Sequence, residues 1–157
     1  MSERDAPARV VAAASEFGIS VEVVTFPDGT RTAADAAAAI GCEVAAICKS
    51  LVVTTDDGPA LVLCSGAKRL DETLVGRALD RSGVRMATPD EARNATGFPI
   101  GGTPPFGHAI PLPVLADRDL LDHETVWAAA GTPQAVFPIP PGELLRASGA
   151  RTAEVAA

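Results

Sequence analysis

The sequence predicts an α+β domain built on a mixed, mostly antiparallel, curved sheet. Three observations lead there. Short helix-like and strand-like segments interleave along the chain with brief links. Hairpin-type connections predominate among them, and the regular strand–helix–strand rhythm of a doubly wound parallel sheet is missing. The 157 residues match one ordinary domain with a real core, and the balance of 47% apolar to 21% charged residues excludes disorder, collagen and a coiled coil. A single domain is therefore expected over residues 1–157, with no internal repeat or low-complexity linker.

Each element has a local reason. Ala6 to Phe17 reads as a helix ended by Gly18, and Ser20 to Phe26 as a strand in which Val21 and Val23 alternate with Glu22 and Val24. Pro27, Asp28 and Gly29 make a turn. Thr32, with Asp35 three residues on, caps an alanine-rich helix from Ala33 to Ile40, and Gly41 stands where a left-handed C-terminal residue is wanted. A shorter helical turn from Glu43 to Ile47 leads to Lys49. Lys49–Thr55 and Ala60–Cys64, joined across Asp56, Asp57 and Gly58, form a hairpin. Asp71 caps a helix to Leu79, and Val84–Ala87 is a short strand. Thr88, Pro89 and Glu91 fit a capping box opening a helix that Gly97 stops. Beyond a Pro/Gly-rich loop come strands at Pro113–Ala116, Glu124–Ala129 and Ala135–Pro138, a helix at Gly142–Ala147 and a last strand at Thr152–Val155.

Charge and cysteine usage narrow the partners. The net charge of −7 argues against a protein that lives on the phosphate backbone of DNA or other long nucleic acid. Only the stretch from Lys68 to Arg93 is locally non-acidic, at +1 against −8 for the rest. It is either a small nucleic-acid footprint or a solvated helix of mixed charge. Cys42, Cys48 and Cys64 are an odd number without metal-ligand spacing, so neither disulfides nor zinc is indicated and a reducing cytoplasm is expected. Arg4 and Arg9 precede an apolar run, Val10–Ala14, too short for a signal-peptide core. The longest stretch free of charge, Asn94 to Ala116, carries five prolines and cannot be a membrane helix.

The chemistry on offer is sparse. His108 and His123 are the whole imidazole inventory, and no Ser or Cys sits in a nucleophile elbow. Asp117, Asp119, Asp122 and Glu124 lack calcium-loop spacing and read as a solvated loop, so no metal is expected. Lys49 falls on the strand face of Leu51 and Val53, where an apolar residue is expected. Either it snorkels to solvent, or it is a cation held in a pocket for a phosphate or a polarised carbonyl. The segment Gly101-Gly102-Thr103-Pro104-Pro105-Phe106-Gly107-His108 is either a rigid turn or a loop whose bare N–H groups face an oxyanion. Trp127 is either core or pocket wall.

Two runs carry a resemblance. Cys48-Lys49-Ser50-Leu51-Val52-Val53 follows the alanine-rich helix, and Ala95 to His108, then Pro111-Leu112-Pro113 and Asp117, follow in order. Together they resemble the YbaK/ProX family of aminoacyl-tRNA deacylases, related to the editing domain of bacterial prolyl-tRNA synthetase, over residues 15 to the C-terminus. The resemblance implies a barrel-like sheet with helices packed outside. It implies a catalytic pocket where Lys49 and the main chain of Gly101 and Gly102 meet the 3′ end of a mischarged tRNA. Ser50, Thr103, Pro105, Phe106, Gly107, His108, Asp117, Phe26, Trp127 and Ala129 are the substrate-binding residues it implies. The ester is then cleaved without a protein nucleophile or cofactor, the vicinal ribose hydroxyl assisting. Where alanine-editing members carry Lys-Asn and a later strand histidine, this chain has Lys49-Ser50 and the histidine-free Thr125–Ala129, which is similar to the cysteine-editing branch. Where that branch often has serine and a second glycine, this chain has Ala129 and Ala130. The implied partners are the aminoacyl-tRNA acceptor end and prolyl-tRNA synthetase. A non-catalytic module binding aminoacyl-adenosine-like ligands or a synthetase, and an enzyme using Lys49 as Schiff-base nucleophile, are the alternatives from other classes.

Overall fold

A computed structural model describes residues 5–27 and 32–157. Helix α1 (Ala6–Ser15) ends two residues before the expected Phe17, and Gly18 follows with φ +72°. Strand β1 (Val24–Thr25) is much shorter than the expected Ser20–Phe26, because only these two residues reach a neighbour, β7 (Ala135–Ile139). Val21 and Val23 are still half-buried against the core, so their alternation marks a packed face rather than a hydrogen-bonded ladder. Of the expected turn after it, Asp28 and Gly29 lie outside the described residues, as does Arg4.

Helix α2 (Ala33–Ile40) has the expected ends: the Thr32 side chain accepts from the Asp35 N–H, and Gly41 adopts φ +87°. A 3-10 turn, Val44–Ala46, stands at the expected helical turn and feeds the hairpin of β2 (Ile47–Thr55) and β3 (Gly58–Ser65). Helix α3 (Glu72–Leu79) is capped by Asp71, and helix α4 (Pro89–Thr96) carries the full Thr88/Glu91 capping box, with Gly97 closing it at φ +80°. Between them β4 is trimmed to Arg85–Met86, the part that pairs with β2. Strand β5 (Val114–Asp117) runs into a 3-10 turn, Arg118–Asp122, where an irregular acidic loop was expected. Strand β6 (Val126–Ala129), β7, helix α5 (Pro141–Ser148) and β8 (Arg151–Ala153) complete the chain.

The sheet is mixed, with strand order β1-β7-β6-β2-β3-β5-β8 and β4 attached to β2. It stays open, β1 and β8 forming its ends. Among the described residues four pairings are antiparallel and three, β2–β6, β3–β5 and β5–β8, are parallel. Strand parity sorts the core onto two faces. Cys48, Val52, Leu61 and Leu63 pack under α1, α4 and α5 through Val10, Ala14, Ala92 and Leu144. Val53, Val62 and Cys64 pack with Leu51 against Val75 of α3 and the C-terminal Val155. Leu61 and Leu63 are fully buried, so truncating either to alanine costs about 2–5 kcal/mol.

Candidate active site

The site begins with a gap in the sheet. On the side away from β3, strand β2 is paired with β6 only at Ile47 and Cys48 and with β4 only at Val53 and Thr54. Among the described residues no strand pairs with residues 49–52 on that side. The Val52 carbonyl accepts from Ala87 across this side, so period-2 alternation turns the main chain of Ser50 toward the gap as well. A cavity of about 270 Å³ opens there, bordered by consecutive β2 residues from both faces of the strand. Its walls are Ile47–Val52, α2 through Thr32, Ala33 and Ala36, strand β6 through Trp127–Ala129, Met86, and the Pro/Gly loop through Ile100, Gly101 and Thr103. Most of this lining is apolar, which suits a small ligand group fixed by a few polar contacts.

Lys49 supplies the cation. Its Nζ donates to the Lys68 carbonyl at 2.7 Å, which holds the chain in place on the Leu51 and Val53 face. An ammonium has three N–H donors, so two remain for a ligand. Next to it, Ser50 Oγ is buried without a hydrogen-bond partner. An uncompensated buried hydroxyl is costly, and a ligand polar atom would relieve it.

The opposite wall is the segment 97–108, closed at its neck by the Ala109 N–H donating to the Thr96 carbonyl at 2.9 Å. Arg9 of α1 sits across that neck. Its guanidinium lies 4.3 Å from the Phe98 ring centroid and donates to the Gly97 carbonyl at 3.4 Å. Within the loop the two leading glycines do different work. Gly101 borders the cavity at φ +85° with open space where a side chain would stand. Gly102 does not line the cavity; its N–H is spent on the Pro99 carbonyl, and a Cβ there would meet the Thr132 backbone at 2.7 Å. Thr103 lines the cavity while its hydroxyl donates to the Pro99 carbonyl. Ile100, Gly101 and Thr103 are thus the loop residues at the cavity.

The rest of the loop braces this wall. Pro105 and Phe106 are buried, and the Phe106 ring packs 5.6 Å from that of Phe137. Gly107, at φ +79°, leaves room for Ala13 of α1. His108 Nε2 lies 2.7 Å from the Pro104 carbonyl, an acceptor, so Nε2 carries the proton. Burial lowers the His108 pKa, the Pro104 bond opposes that, and the Arg9 charge adds to it. Phe26 is half-buried, its N–H donating to the Gln134 carbonyl, and it does not line the cavity. Asp117 is buried and also absent from the lining; its carboxylate accepts from the Ser65 and Asp119 N–H groups. Of the residues the resemblance pointed to, Lys49, Ser50, Gly101, Thr103, Trp127 and Ala129 meet at the cavity. Trp127 serves both as wall and as packing, against Ala36, Ala37 and Ile47.

Burial disfavours the thiolate at all three cysteines. Burial pushes Cys48 far above the usual cysteine range, and pushes Cys64 up to about 11 with the Lys49 charge opposing. Among the described residues no group of three His, Cys, Asp or Glu side chains is placed to hold a metal ion, and no helix is long and apolar enough to cross a membrane. Thr32, Ala36, Met86, Ala92 and Ile100 were missed as wall residues. Each lies in an ordinary helix, strand or loop pattern and comes to the cavity only through tertiary packing.

The open mixed sheet, with a cavity lined by a strand lysine and a glycine-bearing loop, defines a pocket-bearing α+β domain. Comparison with known proteins gives the family. The model of the aminoacyl-tRNA editing domain matches residues 27–147, and the chain belongs to that family. It is 36% identical over 109 residues to the proline–tRNA ligase of Acidithiobacillus ferrooxidans, covering 69% of this chain and 19% of that protein. It therefore spans about a fifth of the ligases it matches. It is 32% identical over 124 residues to the uncharacterised protein YwhH of Bacillus subtilis, covering 78% of each. A solved structure described as a candidate trans-editing enzyme for prolyl tRNA synthetase superposes with a TM-score of 0.91 at 46% identity, covering 97% of both chains. The hypothetical protein APE2540 does so with a TM-score of 0.87 at 31% identity, covering 95% of this chain and 99% of that one. The chain is thus an editing domain of the YbaK and prolyl-tRNA synthetase-associated type, a family of translation fidelity.

Proposed function

We propose that the chain hydrolyses, in trans, the ester joining a small, wrongly attached amino acid to the 3′ end of a tRNA, tRNA(Pro) first among them. The observation that supports this best is that Lys49, Gly101 and Thr103 line the same small, mostly apolar cavity. In this reading the aminoacyl group enters the cavity and its carbonyl oxygen meets the loop N–H groups. Water adds to the carbonyl carbon, and negative charge gathers on that oxygen, where preorganised donors and the Lys49 ammonium stabilise it. The bond to the ribose oxygen then breaks, and that oxygen leaves with a proton, giving free amino acid and deacylated tRNA. The neighbouring ribose hydroxyl supplies the proton handling that no side chain at the cavity offers. Ser50 and the Trp127 and Ala129 wall select the amino acid, cysteine being the favoured candidate. With a net charge of −7 the chain grips only the acceptor end, and prolyl-tRNA synthetase supplies the remaining tRNA affinity by raising effective concentration.

The test is a deacylation panel of purified protein against tRNAs charged with Cys, Ala, Ser, Thr and Pro, with and without prolyl-tRNA synthetase. Hydrolysis of one or more non-cognate esters above the buffer rate is expected. No hydrolysis in any combination overturns the reading.

A further inference from the structure

Asp117 is a buried carboxylate that the proposed reaction does not use. Its Oδ2 accepts from the Ser65 N–H at 3.2 Å and its Oδ1 from the Asp119 N–H at 3.0 Å, while the Lys68 ammonium stands 3.7 Å from Oδ1. Ser65 opens the turn that ends at Lys68: the Lys68 N–H donates to the Ser65 carbonyl at 3.0 Å, and Ser65 Oγ ties the same turn to the Ala45 carbonyl. The far end of that turn is the Lys68 carbonyl, the acceptor of Lys49 Nζ. The path from Asp117 to the Lys49 ammonium thus consists of one short turn fixed at both ends.

From this we infer that Asp117 is a positioning residue for Lys49: it fixes the turn 65–68, whose last carbonyl sets where the ammonium points. The inference rests on the proposed deacylase reading for its kinetic consequence but not for its structural one. A hydrogen bond from a backbone N–H to a carboxylate is charge-assisted and stronger than one between neutral groups, and burial removes competition from water. Asn in its place keeps the shape but loses the charge, and it can accept from only one of the two N–H groups because its NH2 faces the other. The Lys68–Asp119 ion pair, at 2.7 Å but largely solvent-facing, contributes little to the same end.

The chain has just two lysines, Lys49 and Lys68, so selective 15N-lysine labelling gives two side-chain signals, assigned with Lys68→Arg. In the wild type the Lys49 ammonium protons should be protected from exchange by the Lys68 carbonyl and give a persistent cross-peak in the cold. Asp117→Asn should abolish that cross-peak and lower kcat about tenfold with KM within twofold, the pattern of a displaced catalytic group. Asp119→Asn, which drops the ion pair but keeps the backbone N–H, should keep the cross-peak and cost no more than about twofold. If Asp117→Asn does not fold, Ser65→Ala loosens the same turn and should weaken the cross-peak in the same direction. A cross-peak undiminished in the folded variant overturns the inference, as does a KM effect with kcat unchanged, which would make Asp117 a substrate contact. Should the wild type hydrolyse no ester, the proposed function fails while the cross-peak still decides the role of Asp117.

Discussion

The two walls of the cavity are held by different means. On the β2 wall one side chain matters, and its position depends on a polar chain from Asp117 through the turn 65–68 to Lys49. On the loop wall the main chain matters, and its position depends on packing: the Arg9 guanidinium over Phe98, Phe106 against Phe137, and Gly102 pressed on Thr132. A strand carries the first wall and needs only a local anchor. An irregular loop carries the second and needs contacts from α1, β7 and the turn at Thr132 to hold one shape. Substitutions should therefore fail differently on the two sides, by lost charge on one and by lost shape on the other.

The largest effect falls on the β2 wall. Lys49→Ala should lower single-turnover deacylation about 10²-fold or more, since one preorganised electrostatic contact contributes ~3 kcal/mol, with the melting curve essentially unchanged. Wild-type turnover in a folded Lys49→Ala protein would make both walls matters of shape. On the loop wall, Gly102→Val should cost both activity and stability. Its Cβ meets the Thr132 backbone, which no rotamer avoids, so overpacking of about 1–3 kcal/mol should lower Tm by several degrees. Scanning calorimetry beside the deacylation assay checks this; full stability with full activity would show that the loop need not lie where it does. A smaller effect is expected from Arg9→Ala, which removes a cation–π contact of about 0.5–1 kcal/mol and one hydrogen bond at the neck. Activity should fall by a factor of about three to five, and Arg9→Lys should recover part of it.

At His108 the expected effect is on pH dependence rather than on turnover. Its pKa is lowered in the folded protein, so the unfolded chain binds the extra proton first. Stability is therefore full above the ordinary imidazole value of about 6.5 and is lost as pH falls from there through the lower folded value. His108→Ala should flatten that acid limb in a urea titration while keeping deacylation within about tenfold at pH 7, short of the loss of a general base. An acid limb as steep in the variant would assign the pH dependence to other groups.

The difference between the walls also governs what was readable in advance. Period-2 alternation put Lys49 on the Leu51 face, and cap signals at Thr32, Asp71 and Thr88 placed three helices, because these are local consequences of neighbouring residues. The glycine loop stood out by composition, yet nothing in its spacing separated Gly101, open to the cavity, from Gly102, pressed against Thr132. That distinction belongs to a contact between segments thirty residues apart. The resemblance marked Asp117 as substrate-binding, and the fold gives it Ser65, Lys68 and Asp119 as partners, outside the cavity lining. The gap in β2 depends on where β6 and β4 stop pairing, which no single-strand pattern encodes.

The central claim is that Lys49, main-chain groups and the substrate's own ribose hydroxyl suffice, with no side-chain base. The most direct measurement is the single-turnover hydrolysis of a mischarged tRNA whose terminal ribose lacks the hydroxyl next to the ester, run beside the unmodified substrate with wild-type and His108→Ala protein. The account predicts that the deoxy substrate is cleaved poorly by the wild type and that His108→Ala cleaves the unmodified one within about tenfold of the wild type. Normal turnover of the deoxy substrate, together with a dead His108→Ala protein, would contradict it and make His108 an ordinary general base.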